Sequence, residues 1–386
     1  MYDNLRDLLL IRLRIPLAIT ALLMLCVPGT GQLYNITTIL SQELPAEELL
    51  DPQLHRIDNQ GLIVGSLASP FNPENRRLFV LRKAKNRQFL LQMIGEYVDC
   101  EIHAVDEQGQ LLINARLPGR TKVEPLILNL STKEVTTILP LTGNLANGVM
   151  LANDQVAVNT RFDHLPDRSQ YLENPFREQR SSLREVPKRA TKATIRDLAT
   201  GKEIPIGFPA ALWYNLNTAV SDFNANGHAC GQSEGYSIQE NMTSPYPFLA
   251  TKDSVYRLLD GYQGMALSMN DLDQVVGYWT HPLTGRKSGF FHDKGLLSSQ
   301  DYDWIDLQMA WPSHINNQGL VAGQKGDTAF FWLDQKLLST HQMVPNLPAD
   351  WKVEKIIDLN DENEVIAVAL KDDEPLLFWA VLETTR

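Results

Sequence analysis

One short pattern recurs along this chain and limits its fold more than any other feature. An apolar residue is followed by Asn or Asp, then by two or three turn formers, then by a short apolar run that often ends in Gly. The clearest copies are Ile57-Asp58-Asn59-Gln60-Gly61-Leu62-Ile63-Val64-Gly65 and Ile315-Asn316-Asn317-Gln318-Gly319-Leu320-Val321-Ala322-Gly323. Further copies open at Val105 and Phe223. Two more, opening at Met269 and Leu359, lack the turn Gly, and the faintest begins at Ala152. The marker residues are Asp58, Asp106, Asn153, Asn224, Asn270, Asn316 and Asn360, with intervals of 48, 47, 71, 46, 46 and 44. Unrelated turns do not keep such a step, and the long interval is one step with about 25 residues inserted.

Each copy reads as a tight β-hairpin. Asn, Asp and Gly tolerate the left-handed backbone that a two-residue hairpin turn requires. The β-branched run after it is a strand, and the marker side chain can bond its own downstream backbone. A further apolar strand follows in each unit, most clearly Thr328-Ala329-Phe330-Phe331-Trp332, with relatives at Phe290-Phe291, Phe248-Leu249, Phe378-Trp379 and Leu78-Phe79-Val80. Four strands in roughly 46 residues is the size of one propeller blade. The predicted fold is therefore all-β, a single seven-bladed β-propeller over residues 32–386, with six or eight blades as variants because the third unit is faint. The last unit ends one strand short, and residues 33–40 form a β-prone segment without a partner. This N-terminal strand is expected to close the last blade and remove two open sheet edges.

The repeats resemble the HAF family of extracellular repeats, which pair an Ile-Asn-x-x-Gly-x-Val-Val-Gly hairpin with an Ala-Phe-Leu-Trp strand. Ile315 to Gly323 and Ala329 to Trp332 match both elements, the units opening at Ile57 and Met269 match the hairpin, and the His-Ala-Phe triplet occurs in no copy. The resemblance implies an exported β-rich repeat protein. It implies no activity, and no site residues carry over.

The N-terminus agrees with export. Arg6, Arg12 and Arg14 precede an apolar run at 15–27, and Gly29, Thr30 and Gly31 follow. Residues 1–31 thus read as a signal peptide, or as an N-terminal membrane anchor if uncleaved, which would be the one membrane contact. The expected location is periplasmic or extracellular. After cleavage Cys100 and Cys230 remain, either paired or as two free thiols.

The chain carries a formal charge of −11, which argues against a nucleic-acid partner, since phosphate binding needs a basic face. Between the third and fourth markers, residues 161–192 form a polar, charge-dense insertion with a local basic excess. No nucleophile elbow, phosphate loop, Cys-x-x-Cys pair or His-Glu-x-x-His helix occurs, so no catalytic, cofactor-binding or metal residue is assigned and no cofactor is expected. Asp271 and Asp273 read as turn chemistry rather than a calcium loop. His55 and His103 sit at equivalent places three residues before their markers, with His314 one residue nearer its own, where side chains could converge on a central channel. Trp304 and Trp311 are the tryptophans expected at loops, able to stack on a sugar or peptide. The leading function is a non-enzymatic binding or scaffold module with a protein or glycan partner. Alternatives are a propeller enzyme, a glycan lyase or hydrolase with carboxylates at the channel mouth, and a structural element of an envelope assembly.

Overall fold

The computed structural model describes residues 33–72, 75–83, 89–117, 119–138, 145–152, 154–162, 190–206, 214–237, 242–251, 254–259, 262–293, 304–344 and 346–383. The segment at 1–31 and most of the insertion at 161–192 lie outside them.

The repeated hairpin forms as expected, with a different turn in every copy but the third, where Ala152 pairs directly with Gln155 across the predicted two-residue loop. In the first unit Ile57 pairs with Ile63, Asp58 N donates to Leu62 O at 3.1 Å, and Gly61 N donates to Asp58 O at 3.0 Å. The loop therefore holds three residues, a turn closed by a left-handed residue, rather than the two-residue turn predicted. That left-handed place is filled by Gly61, Gly109, Gly227 and Gly319, and by Asp273 and Asn363 in the two copies that lack Gly. The marker side chain caps the loop as predicted: Asp58 Oδ1 accepts from Gln60 N at 2.9 Å and Leu62 N at 2.7 Å.

The Gly that ends the motif has a separate cause. The first strand of each hairpin carries a β-bulge, for example between Pro312 and His314 and between Ala266 and Ser268. Beside it the paired backbones come very close. A Cβ on Gly323 would lie 2.1 Å from Trp311 O, and one on Gly277 2.1 Å from Met265 O, so only Gly permits the approach.

Among the described residues the strands group into seven antiparallel units of four. The first runs Gln53–Ile57, Ile63–Ala68, Asn75–Lys83 and the start of Phe89–Val105. That 17-residue strand continues into the second unit, with Gln110–Arg116, Glu124–Asn129 and Val135–Thr137. The third has Leu145–Ala152, Gln155–Phe162, Ala190–Asp197 and Glu203–Ile206; the fourth Tyr214–Phe223, Ala229–Ser237, Met242–Ala250 and Val255–Arg257. The fifth has Gln263–Met269, Val275–Thr280, Lys287–His292 and Trp304–Asp306; the sixth Trp311–Ile315, Val321–Lys325, Thr328–Leu333 and Lys336–Ser339. In the last, Lys352–Leu359, Glu364–Lys371 and Glu374–Val381 are joined by Leu33–Asn35, with Leu33 opposite Ala380 and Asn35 opposite Phe378.

That N-terminal strand is shorter than predicted. From Ile36 to Glu43 the chain is helical, because Asn35 Oδ1 accepts from Thr38 N at 3.0 Å and caps a turn that buries Ile36 and Leu40 on one face. Residue spacing of four places both side chains against the core.

The core lies between units rather than within them. Seven clusters of buried apolar residues occur among the described residues, each shared by two neighbours. Ala322 and Phe331 of the sixth unit pack with Val353 and Phe378 of the last. Ile57, Ile63 and Phe79 of the first pack with Ile366 and Trp379 of the last, together with Ile36 and Leu40. Each sheet thus buries both faces against adjacent sheets, which explains strands as uniformly buried as Ile63–Ala68.

Candidate functional site

The first strands of the seven units line an open cavity of about 410 Å³. Residues from every unit line it, chiefly the marker and the two positions before it. At the marker end the units are tied by two belts of hydrogen bonds.

In the inner belt, from Asn224 onward, each marker amide reaches the next marker's main chain. Asn224 Nδ2 donates to Asn270 O at 3.0 Å, Asn270 to Asn316 O at 2.9 Å, Asn316 to Asn360 O at 3.0 Å, and Asn360 to Asp58 O at 2.7 Å. Asp58 has no donor to continue it. The outer belt uses the residue after the marker, where acid and amide alternate from Asp271 through Asn317, Asp361 and Asn59 to Glu107. Asn59 Nδ2 bridges Asp361 and Glu107, and Asn317 Nδ2 bridges Asp271 and Asp361, over 2.7 to 3.1 Å. This mouth therefore carries the carboxylates of Glu107, Asp271 and Asp361, each already accepting from an amide.

Deeper in, two positions before the markers, stand Arg56, Asp222, His314 and Asp358. Arg56 donates from Nε to His103 O and from a terminal nitrogen to His55 O at 3.1 Å. It is the one Lys or Arg lining the cavity among the described residues. Its charge acts on Asp222 and His314, from the fourth and sixth units, as well as on its neighbours His55 and His103. Asp222 accepts from Ser268 Oγ and Met269 N at 2.9 Å each, and from Phe223 N at 2.8 Å. Burial pushes its carboxyl up to about 6, against the pull of those donors and of Arg56. Asp358, in the last unit, has the same role toward the first, accepting from Ile57 N at 3.0 Å. His314 Nδ1 lies 2.8 Å from Ser313 Oγ and its Nε2 lies 3.7 Å from Asp358 Oδ1. Burial pushes His314 down to about 4, with Asp358 opposing.

The histidines singled out from the sequence divide. His314 lines the cavity, whereas His55 and His103 do not. Both occupy bulge positions and turn to the adjacent strand, His55 Nε2 to Ser66 Oγ at 2.8 Å and His103 Nε2 to Asn114 Nδ2 at 2.6 Å. Burial lowers both, His55 to about 4. No group of three or more His, Cys, Asp or Glu positioned to hold a metal ion occurs among the described residues. Asp271 and Asp273 are turn residues, with Asp273 left-handed and accepting from Asn224 Nδ2 and His228 Nδ1. Trp304 and Trp311 both correct the expectation of a loop, since each opens a strand; Trp304 packs edge-on against Tyr262 and Trp279. Trp311 is exposed. Cys100 and Cys230 are free thiols. Sequence reasoning missed Arg56, Asp222 and Asp358. Alignment of the units on their markers would have placed them and His314 in one column, polar in five of the seven units.

No protein-family model matches the sequence, and comparison with curated protein sequences finds no match. Solved structures do resemble it. The acylaminoacyl peptidase of Pyrococcus horikoshii aligns with a TM-score of 0.54 at 8% identity, over 86% of this chain and 52% of that one. The β-propeller domain of the trilobed protease from Pyrococcus furiosus aligns at 0.51 and 11% identity, over 85% and 93%. The fold is of the β-propeller kind. An oligogalacturonate lyase in complex with manganese aligns at 0.50 and 12% identity, over 92% and 97%. This propeller-type chain spans about half the length of the peptidase chain, and at such identities the likeness concerns the fold alone.

Proposed function

We propose that the seven units close into one seven-bladed ring, and that this is an exported binding module of the HAF-repeat kind whose ligand enters the central cavity. The seventh inter-unit cluster, shared by the last and first units, supports the ring. The HAF resemblance and the N-terminal segment support export; no helix among the described residues is long and apolar enough to cross a membrane.

The observation that carries the binding reading is how the cavity's charged groups are used. Asp222 and Asp358 each cap the backbone of the following unit, and the mouth acids hold the outer belt. These carboxylates are framework. Arg56 alone projects a charge felt across the cavity while its own bonds go only to main-chain carbonyls. A fixed cation behind a mouth of carboxylates suits a small polar ligand with a negative group leading and hydroxyl or amine groups behind.

The test is a thermal-unfolding screen of the protein against glycans, peptides and metal ions. A true cavity ligand raises the melting temperature with concentration, and Arg56→Gln abolishes that rise. A rise unchanged in Arg56→Gln, or none across the panel, removes this reading.

A second reading, the propeller enzyme, is favoured by Ser313, His314 and Asp358 in series beside an Asp222 held near 6, a range suited to general acid catalysis. Turnover lost in both His314→Gln and Asp222→Asn would establish it.

A further inference from the structure

We propose that Trp311, Tyr278 and Lys287 form a second site that binds a carboxylated sugar residue, such as a uronic acid in a glycan. The site lies at the end of the inner strands opposite the marker belts and is independent of the cavity.

Trp311 stands apart from the other tryptophans among the described residues. Trp279, Trp332, Trp351 and Trp379 are buried and Trp304 is half-buried, while Trp311 is 41% exposed. It opens the first strand of the sixth unit, whose far end, at His314 and Ile315, lines the cavity. Its ring is stacked on Tyr278 of the fifth unit, with centroids 5.5 Å apart and planes 29° apart. Two features fix that geometry. Gly289 leaves room for the 310–312 backbone, since a Cβ there would lie 2.2 Å from Ala310 O and 2.5 Å from Pro312 Cδ. The Tyr278 hydroxyl meets Met265 Sδ at 4.0 Å. The result is a preorganised aromatic surface with one side backed by protein and the other in solvent.

Lys287 supplies the charge. Its Nζ lies over the Tyr278 ring, 4.7 Å from the ring centre, and 5.9 Å from that of Trp311, so the ammonium stands beside the stacked pair. Lys287 makes no ion pair among the described residues, and its neighbour Arg286 bonds only Met309 Sδ through its guanidinium. Gln324, paired across the strands with Trp311, is exposed. A lysine that has no carboxylate partner among the described residues and stands beside an exposed tryptophan is unusual on a chain of net charge −11.

The C–H face of a pyranose lies flat on an aromatic ring and sends its hydroxyls outward. A carboxylate on the ring then reaches the Lys287 ammonium beside the stacked pair, which a neutral sugar would leave without an anionic partner. A nucleic acid would also stack on Trp311, but the acidic chain repels a polyphosphate along its whole length, whereas a single sugar carboxylate feels mainly groups within about 8 Å at physiological salt.

The test titrates the purified protein with a glucuronate-containing oligosaccharide, with the neutral glucose oligosaccharide of equal length, and with a short single-stranded oligonucleotide, read by calorimetry. The expected result is preferential binding of the uronate. Trp311→Ala weakens it roughly tenfold or more, and Lys287→Gln weakens it about threefold while leaving the neutral sugar unaffected. Uronate binding lost in Arg56→Gln and kept in Trp311→Ala would belong to the cavity and overturn the proposal, so the two sites succeed or fail separately. The proposal is overturned by uronate affinity that survives Trp311→Ala, by equal affinity for neutral and acidic sugars, by preference for the oligonucleotide, or by no uronate binding at millimolar concentration. The unfolding midpoint of Trp311→Ala, expected to match that of the unmutated protein, guards against a misfolded variant.

Discussion

Asn360 donates from its side-chain amide to the main-chain carbonyl of Asp58, 2.7 Å away and 302 residues distant in sequence. The same bond joins each earlier Asn marker, from Asn224 onward, to its successor, so a single amide per unit both caps its own turn and fastens the next unit. An aspartate at a marker position keeps the cap and loses the fastening.

Two substitutions of opposite sign follow. Asn360→Asp retains the acceptor for Glu362 N and Glu364 N but leaves Asp58 O with Gly61 N as its donor and sets a second carboxylate beside Glu364 Oε2, and should cost about 1–3 kcal/mol. Asp58→Asn places a donor where a carboxyl, pushed up by burial, now faces the second unit, and should stabilise by about 0.5–1.5 kcal/mol at pH 7. Urea unfolding midpoints of both variants measure this; equal destabilisation would mean that the Asp58 side chain has another essential role.

His314 makes stability depend on acidity. Its folded-state value, about 4, lies below the ordinary 6.5, chiefly through burial. The unfolded chain therefore takes up a proton first as pH falls, and the stability present above pH 6.5 is lost on the way down to about 4. His55 acts in the same direction, and Asp222, raised to about 6, acts in the opposite one between its ordinary value and 6. The readout is accordingly a difference: the gap between the unmutated protein and His314→Gln should change by about 2 kcal/mol between pH 7 and pH 4.5. A gap independent of pH would show that the imidazole is freely protonated.

Gly323→Ala brings a methyl against Trp311 O and Pro312 Cα, which are backbone atoms that cannot rotate aside. The expected loss is about 1–3 kcal/mol, with the far-ultraviolet spectrum retained. A neutral effect would show that the bulge beside it relaxes.

The two described thiols should be unreactive. Burial raises Cys230 and pushes Cys100 up to about 12, so little thiolate exists at neutral pH. A thiol reagent should label neither residue in the native protein and both after unfolding, as read by peptide mass. Fast labelling of Cys100 without denaturant would contradict its packing.

The units are legible in the sequence because their turn chemistry repeats: the marker caps, the left-handed third loop residue and the closing Gly are all local demands. Turn length is not, because Asn, Asp and Gly serve both two- and three-residue loops, and only the register of Ile57 with Ile63 distinguishes them. Residues 33–40 have strand-like composition, yet the Asn35 cap and the apolar pair Ile36 and Leu40 turn most of them into a helix. The cavity is hidden for another reason. Arg56, Asp222, His314 and Asp358 come from four units, and no linear motif joins residues that meet only across a shared cavity. Likewise the bulges that turn His55 and His103 away from the cavity leave no compositional trace.

The pairing of Leu33–Asn35 with Glu374–Val381 has a temporal consequence. Thr37 Oγ1 accepts from Leu377 N across 340 residues, so a segment synthesised early must wait for one synthesised far later. Until then the last sheet lacks its outer strand, and the apolar cluster that the first and last units share with Ile36 and Leu40 stays incomplete. The pairing is thus a late, long-range event with slow loop formation behind it.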